Sequence, residues 1–369
     1  MAFDFKKRVA GVRKVLKREK LDAFVSVVTE GNSKNPLYLS GFGGTTGALA
    51  ISAKKTVLAV DSRYTLRAKK ETAGVMVVEI PKGRGKNEDF SLYVETALSG
   101  LGLGNMPRIG FEGARVPVLM LASWRKHIQG TFVATRSIVE KLRQVKDVEE
   151  LRTIARAGKI TSKVFVVIAK TIRAGERECD IAARLDIALR NNGALGNSFQ
   201  TIVASGSNSA IPHHETGTRK VRAGEPVVMD FGGIFPGGYC SDLTRTVFVP
   251  GKKPHTELYT IYRIVLEANK KALRALSPGM TWKEYDRVAR AHITDAGYGK
   301  YFTHGLGHSI GLEAHDPYDY AHDAFEAGNV LSNEPGIYLP GIGGVRIEDD
   351  IVVTKNGARN ITPAPYLSL

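Results

Sequence analysis

The chain has 369 residues, 43% of them hydrophobic and 24% charged, a composition that excludes a disordered or fibrous protein and leaves room for two ordinary domains. Its two cysteines, Cys179 and Cys240, are too few for a disulfide framework and have no metal-finger spacing, which fits a reducing compartment. The net charge of +15 raises nucleic-acid binding as a function, but the lysines and arginines are spread over helical stretches such as 14–20 and 141–146, so solvated faces explain them better.

The N-terminus, Met1 to Arg8, leads into an amphipathic helix over 4–20 and lacks the unbroken apolar core of a signal peptide. No later run is long enough to span a bilayer, so neither a membrane nor a specific nucleic acid is an expected partner and the expected location is cytoplasmic. Apolar strands are predicted at 22–28, 47–52, 56–61 and 75–80, interleaved with helices near 64–73, 88–99 and 116–128. Two glycine-rich stretches tempt a phosphate-loop assignment. Gly41 to Gly47 lacks the Lys-Ser/Thr ending and reads as a strand-to-strand turn, and Gly83 to Asn87 lacks both the leading glycine and the hydroxyl residue. The strand-like Thr131 to Ala134 then gives way to a charged stretch. Asp147 follows as an N-cap for a helix over 148–172, with Glu149 and Glu150 in its first turn. The expected division is a small α/β domain over 1–137 and a second domain over 138–369. A helix over 177–191 precedes a strand at 199–203 and a polar loop carrying His213 and His214, which the residues alone leave unassigned. Helices near 254–275 and 281–295 complete the list.

The chemistry concentrates between Val227 and Asp349. Val227 to Val247 reads as a hairpin folded at Pro236-Gly237, with Asp230 and Asp242 each six residues from Pro236 and expected to face each other. Leu331 to Glu348 repeats the arrangement, with Glu334 and Glu348 each seven residues from Gly341. Helix, helix, loop and two-carboxylate hairpin thus occur twice, which suggests two similar halves around one site. Four clustered carboxylates cannot all stay ionised in a half-buried sheet without a cation. Between the hairpins, Gly305 and Gly307 argue against a helix, and an extended segment would put His304, Leu306 and His308 on one face. Oxygen ligands with one imidazole favour a pair of divalent ions such as manganese, cobalt, iron or zinc, which would activate a shared water for hydrolysis of a carbonyl or phosphoryl centre. Solvent-facing carboxylates are the bland alternative, but apolar strand residues flank these. Arg346 lies two residues before Glu348, where it would hold a metal-bridging carboxylate, and Cys240 reads as a small buried thiol.

Asp230-Phe231-Gly232, Ser241 to Thr246, His304-Gly305-Leu306-Gly307-His308, Gly311 to His315, Asn333 to Gly336 and Val345 to Asp349 resemble the ordered motifs of the pita-bread metallopeptidases. The match is closest to the proline-specific branch, the aminopeptidase P and prolidase group, and Asp61 to Tyr64 with the Gly41 turn resembles that group's N-terminal domain. The resemblance implies an α+β protein: a C-terminal pita-bread domain with pseudo-twofold halves, preceded by a smaller α/β domain. It implies two divalent metal ions, manganese first and cobalt, zinc or iron as alternatives. Asp230, Asp242, His308, Glu334 and Glu348 would be the ligands, with Asp242 and Glu348 bridging. Glu334 would also act as general base, His315 would stabilise the tetrahedral intermediate, His304 would line the substrate pocket, and His213 would assist substrate binding or proton transfer to the leaving nitrogen. The implied substrates are Xaa-Pro peptides and the implied assembly is a homodimer.

One departure separates the two activities of the branch. Many prolidases carry a carboxylate-binding arginine four residues after the histidine matching His315, and Asp319 stands there in this chain. An anionic residue would repel a dipeptide's carboxylate, so the reading leans towards an aminopeptidase P that accepts longer peptides, with Xaa-Pro dipeptidase as the alternative. Methionine removal is a further enzyme reading, disfavoured by the N-terminal domain. From another class, a metal-free pita-bread module could bind nucleic acid or an acidic protein, although such relatives usually lose ligands and this chain keeps all five.

Overall fold

The computed structural model describes residues 3–81 and 90–366, so the Gly83 to Asn87 stretch lies outside the described residues. Two compact units divide the chain, Met1–Arg143 and Gln144–Leu369.

The first unit begins with α1 (Phe5–Glu19), in which Val9, Val12 and Leu16 recur at helical spacing and form the buried stripe. Asp4 caps its start by accepting the Lys7 N–H, and Lys20, at φ 53°, turns the chain out of it. Then come β1 (Ala23–Val28), α2 (Lys34–Ser40), β2 (Gly47–Ser52), β3 (Thr56–Val60), α3 (Thr65–Glu71), β4 (Met76–Glu79), α4 (Ser91–Leu101), β5 (Arg108–Glu112), α5 (Val118–His127), β6 (Thr131–Thr135) and α6 (Ile138–Gln144). The strands form one mixed sheet in the order β4-β3-β2-β1-β5-β6. Every residue of β1, β2 and β3 is buried, as covered central strands require. Gly41 does not join two strands as expected. It is the left-handed C-cap of α2, at φ 83°, a conformation glycine adopts without a Cβ penalty.

Among the described residues this unit contains one deeply buried carboxylate, Glu112 at the end of β5. Its Oε2 accepts from Ser26 Oγ and Asn32 Nδ2, both at 2.7 Å, and its Oε1 from Asn35 Nδ2 at 2.6 Å. Burial pushes this carboxyl above its ordinary range.

The second unit runs α7 (Val148–Ala169), α8 (Glu178–Asn191), β7 (Gly196–Asn197), β8 (Ile202–Ser205), β9 (Pro226–Phe231), β10 (Gly233–Ile234), β11 (Leu243–Phe248), α9 (Thr256–Ala275), α10 (Trp282–Asp295), β12 (Val330–Asn333), β13 (Gly336–Leu339), β14 (Gly343–Arg346), β15 (Asp349–Thr354) and β16 (Gly357–Asn360). Asp147 and Glu150 close a capping box at the start of α7, and Thr281 and Glu284 do the same for α10. Two apolar cores follow the repeat expected from the sequence: α7 and α8 pack on β9 and β11, and α9 and α10 on the strands from β12 to β15. The unit is the α+β arrangement of two similar halves. Among the described residues no helix is long and apolar enough to cross a membrane.

The two carboxylate hairpins differ in register. In the second, Asn333 pairs with Asp349 and Gly336 with Arg346, two short ladders in separate sheets that keep one register, so that Glu334 and Glu348, between them, fall opposite each other as expected. In the first, Asp230 pairs with Thr244, not with Asp242. Its turn is centred on Gly237: Ile234 bridges Cys240, and Gly237 and Gly238 have φ of 96° and 85°. The two-residue offset leaves both aspartates on one face, because side-chain direction repeats every second residue.

At its tip the second hairpin lies against the 3₁₀ turn Gly206–Ala210. The Gly344 N–H donates to Ser209 Oγ at 2.7 Å, and a Cβ on Gly344 would stand 2.2 Å from the Ser209 carbonyl oxygen. The same turn leads into Pro212 and His213.

Candidate metal centre

Both hairpins and the histidine segment open onto one cavity of about 650 Å³, lined by Asp230, Asp242, His308, Glu334 and Glu348 together with His213, His304, His315 and Arg346. All nine residues singled out in the sequence therefore share one wall system. Asp242, His308 and Glu348 each present a ligand atom within 4.8 Å of the others. Asp242 and Glu348 are buried, at 4% and 2% exposure, and His308 is 9% exposed. His308 Nε2 stands 3.3 Å from Glu334 Oε1 and 3.7 Å from Asp242 Oδ2.

The donor set fits a hard cation. Asp230 Oδ1, Asp242 Oδ1 and Glu348 Oε1 are buried oxygens without a hydrogen-bond partner, and unpaired buried acceptors cost several kcal/mol unless something fills them. Without a cation, burial first and then mutual repulsion drive Asp242 and Glu348 well above the ordinary carboxylate range: Glu348 and Asp230 act on Asp242, and Glu334 and Asp230 act on Glu348. Burial also raises Glu334 and lowers His308, His304 and His315, so the imidazoles are held neutral, the form that donates a lone pair. Divalent charge inverts this balance for the carboxylates.

Arg346 wires the wall together. Its Nη2 donates to Asp230 Oδ2 at 2.5 Å, its Nε to Thr244 Oγ1 at 3.2 Å, and its Nη1 to the Pro212 carbonyl at 3.1 Å and to Tyr338 Oη at 3.0 Å. Thr244 in turn donates to Glu348 Oε2 at 2.7 Å. His304 Nδ1 faces the Gly305 carbonyl, which can only accept, so its Nε2 receives the Tyr338 hydroxyl proton at 2.8 Å. Burial pushes the Tyr338 hydroxyl up to about 12, keeping it a donor. The His308 and His315 rings stack at 3.8 Å with 17° between their planes.

The model of metallopeptidase family M24 matches residues 152–355. The chain belongs to metallopeptidase family M24. In front of that match, residues 8–145 fit the creatinase/prolidase N-terminal domain, so this M24 chain carries both parts in that order. It is 33% identical over 342 residues to an Xaa-Pro dipeptidase of Pyrococcus horikoshii, covering 92% of this chain and 93% of that one. Among solved structures it is similar to an Xaa-Pro dipeptidase from Bacillus anthracis, with a TM-score of 0.89, 35% identity and 99% of each chain covered. It is similar also to an X-Pro aminopeptidase from Thermotoga maritima, with a TM-score of 0.86, 35% identity, and 95% and 98% covered.

Two participants in this M24 site went unread in the sequence. Tyr338 and Thr244 act through contacts made across strands, and their only signal was parity: Tyr338 is an even number of residues from Glu334 and Arg346, and Thr244 from Asp242. Asp319, read as facing the substrate, instead accepts from Nδ1 of the exposed His322 at 2.9 Å and is absent from the cavity lining.

Proposed function

We propose that this chain is a metal-dependent Xaa-Pro peptidase that hydrolyses the bond between an N-terminal residue and a following proline. The observation that carries the reading is the convergence of three unpaired buried carboxylate oxygens, from Asp230, Asp242 and Glu348, on one cavity beside His308. Family membership and the proline-specific names of the similar proteins support it. Asp230, Asp242, His308, Glu334 and Glu348 would hold two divalent ions, manganese first. When bound, such a pair lowers the pKa of a water and polarises the scissile carbonyl. Glu334, raised by burial, takes the proton of the attacking water as general base. Arg346 holds Asp230 in place and, through Tyr338, fixes the ring of His304 against the substrate. His315 would donate to the oxygen that gains charge, and His213, also on the cavity wall, would assist substrate binding or proton transfer to the leaving nitrogen. Proline calls for a dedicated site because its tertiary amide lacks the N–H that general peptidases grip.

Dipeptides and longer peptides are both substrates to be tested. With Asp319 turned to His322, the repulsion that leaned the sequence reading towards longer peptides has no residue to act through, and the dipeptidase names among the similar proteins favour Xaa-Pro. A homodimer and a cytoplasmic location complete the proposal. The test supplies manganese, cobalt, zinc or iron to metal-free protein and compares Ala-Pro, Ala-Pro-Ala and Met-Ala-Ser. Cleavage confined to the two proline peptides is expected. Cleavage of Met-Ala-Ser alone would move the chain to methionine removal, and near-zero metal after reconstitution would favour the binding module.

A further inference from the structure

Lys146 lies between α6 and α7, where its N–H donates to the Gly328 carbonyl at 2.9 Å. Its side chain and that of Asp316 are each 1% exposed, and Nζ stands 3.3 Å from Asp316 Oδ2 and 3.5 Å from Ser309 Oγ. Two full charges are desolvated to make this contact, a cost that pairing alone seldom repays. What the pair grips is the segment from 309 to 316. Ser309 follows His308, and Asp316 follows His315.

Within that segment the Ser309 carbonyl receives two donors, the Asp316 N–H at 2.8 Å and His308 Nδ1 at 3.2 Å. A carbonyl only accepts, so the His308 proton sits on Nδ1 and the lone pair on Nε2 faces Asp242 and Glu334. That is the tautomer a metal-binding imidazole needs, and the partner of its other nitrogen sets it. Asp316 Oδ1 accepts the Glu313 N–H at 3.2 Å. The Asp316 carboxylate also packs so closely on Gly311 that a Cβ there would meet Oδ2 at 2.5 Å. The segment is thereby closed into a tight loop whose two ends carry the stacked rings of His308 and His315.

We propose that Lys146 is a positioning residue: by holding Ser309 and Asp316 together it fixes the tautomer of His308 and keeps His315 stacked upon it. The proposal rests on the metallopeptidase reading of the cavity. Three variants separate positioning from simple stabilisation: Lys146→Met, Lys146→Arg, and Lys146→Met with Asp316→Asn. They are compared by calorimetric titration of manganese into metal-free protein, by kcat and KM on the Xaa-Pro substrate, and by thermal unfolding. Loss of a group that orients a metal ligand lowers affinity or activity by about 10–100-fold. Lys146→Met is expected to fall by that much in manganese affinity and kcat with KM little changed, and Lys146→Arg to recover part of it. The double variant, with no buried charge left unpaired, is expected to unfold near the wild-type temperature yet stay as impaired as Lys146→Met. Recovery of affinity and kcat along with stability in the double variant would reduce the pair to a structural strut and overturn the proposal, as would wild-type affinity in Lys146→Met. Wild-type protein that binds manganese without cleaving Xaa-Pro would defeat the peptidase reading while the affinity comparison still decides the role of Lys146. Ring-nitrogen NMR of the metal-free protein, with His308→Gln to assign the signals, decides it without metal: an Nδ1–H tautomer in the wild type and a mixture in Lys146→Met is expected, and identical spectra would overturn it.

Discussion

Glu112 in the first unit and the Asp242–Glu348 pair in the second are all buried carboxyls pushed above their ordinary range by desolvation. They differ in what their oxygens touch. Both oxygens of Glu112 are filled by neutral hydroxyl and amide donors, whereas Asp242 Oδ1 and Glu348 Oε1 have no partner and face a cavity beside an imidazole. Burial and a displaced pKa therefore do not separate a structural carboxylate from a functional one. Unfilled acceptor capacity aimed at shared space does.

The sharpest way to break the contrast is to remove one residue from each site. Asp242→Ala is expected to abolish both metal uptake and cleavage, read by elemental analysis and Ala-Pro hydrolysis; full activity would end the metal-centre reading. Glu112→Ala is expected to leave activity per folded molecule unchanged. It should destabilise the chain by about 3 kcal/mol, because the donors of Ser26, Asn32 and Asn35 lose their acceptor, which chemical denaturation would measure. The pH dependence distinguishes the two sites without mutation. Raised carboxyls contribute stability that is complete below the unfolded range near about 4 and is lost as pH rises through their folded values. Metal-free protein should therefore become less stable with rising pH through both sites. Manganese should cancel the part due to Asp242 and Glu348, leave that due to Glu112, and add about 2.7 kcal/mol at a hundredfold excess over its Kd. Melting curves at several pH values with and without metal check this, and an unchanged slope would contradict it. The smallest effect is expected from Tyr338→Phe. Removing the hydroxyl between Arg346 and His304 should cost about tenfold in kcat/KM, about 1.4 kcal/mol, with metal content unchanged.

Much of this arrangement was legible in the chain. Alternating apolar residues around Asp230, Asp242, Glu334 and Glu348 marked strands, and the repeated hairpin order marked two halves. The register of the second hairpin was readable because Pro340 and Gly341 leave little choice of turn. The first was misread by two residues because Pro236, Gly237 and Gly238 allow adjacent turn centres, and the glycines, both at positive φ, moved it to Gly237. Helix α2 and strand β5 were not read. Lys34–Ser40 is too short for a helical period to declare itself, and Arg108–Glu112 shows its buried face only once it is paired in the sheet. Lys146, Thr244, Tyr338 and Glu112 were silent for one common reason: each acts through a partner far along the chain, and local pattern carries no information about such pairs.

The contact between Gly344 and Ser209 has a consequence for how this protein can vary. A hairpin tip remote in sequence from His213 sets, by bare backbone contact, how near the turn leading to His213 can come. An alanine at Gly344, a change of one methyl group on a strand position without any reactive atom, would wedge the two backbones apart and behave as a lesion of the substrate cleft. Tolerance to substitution here is governed by clearance between main chains, not by distance from the chemistry.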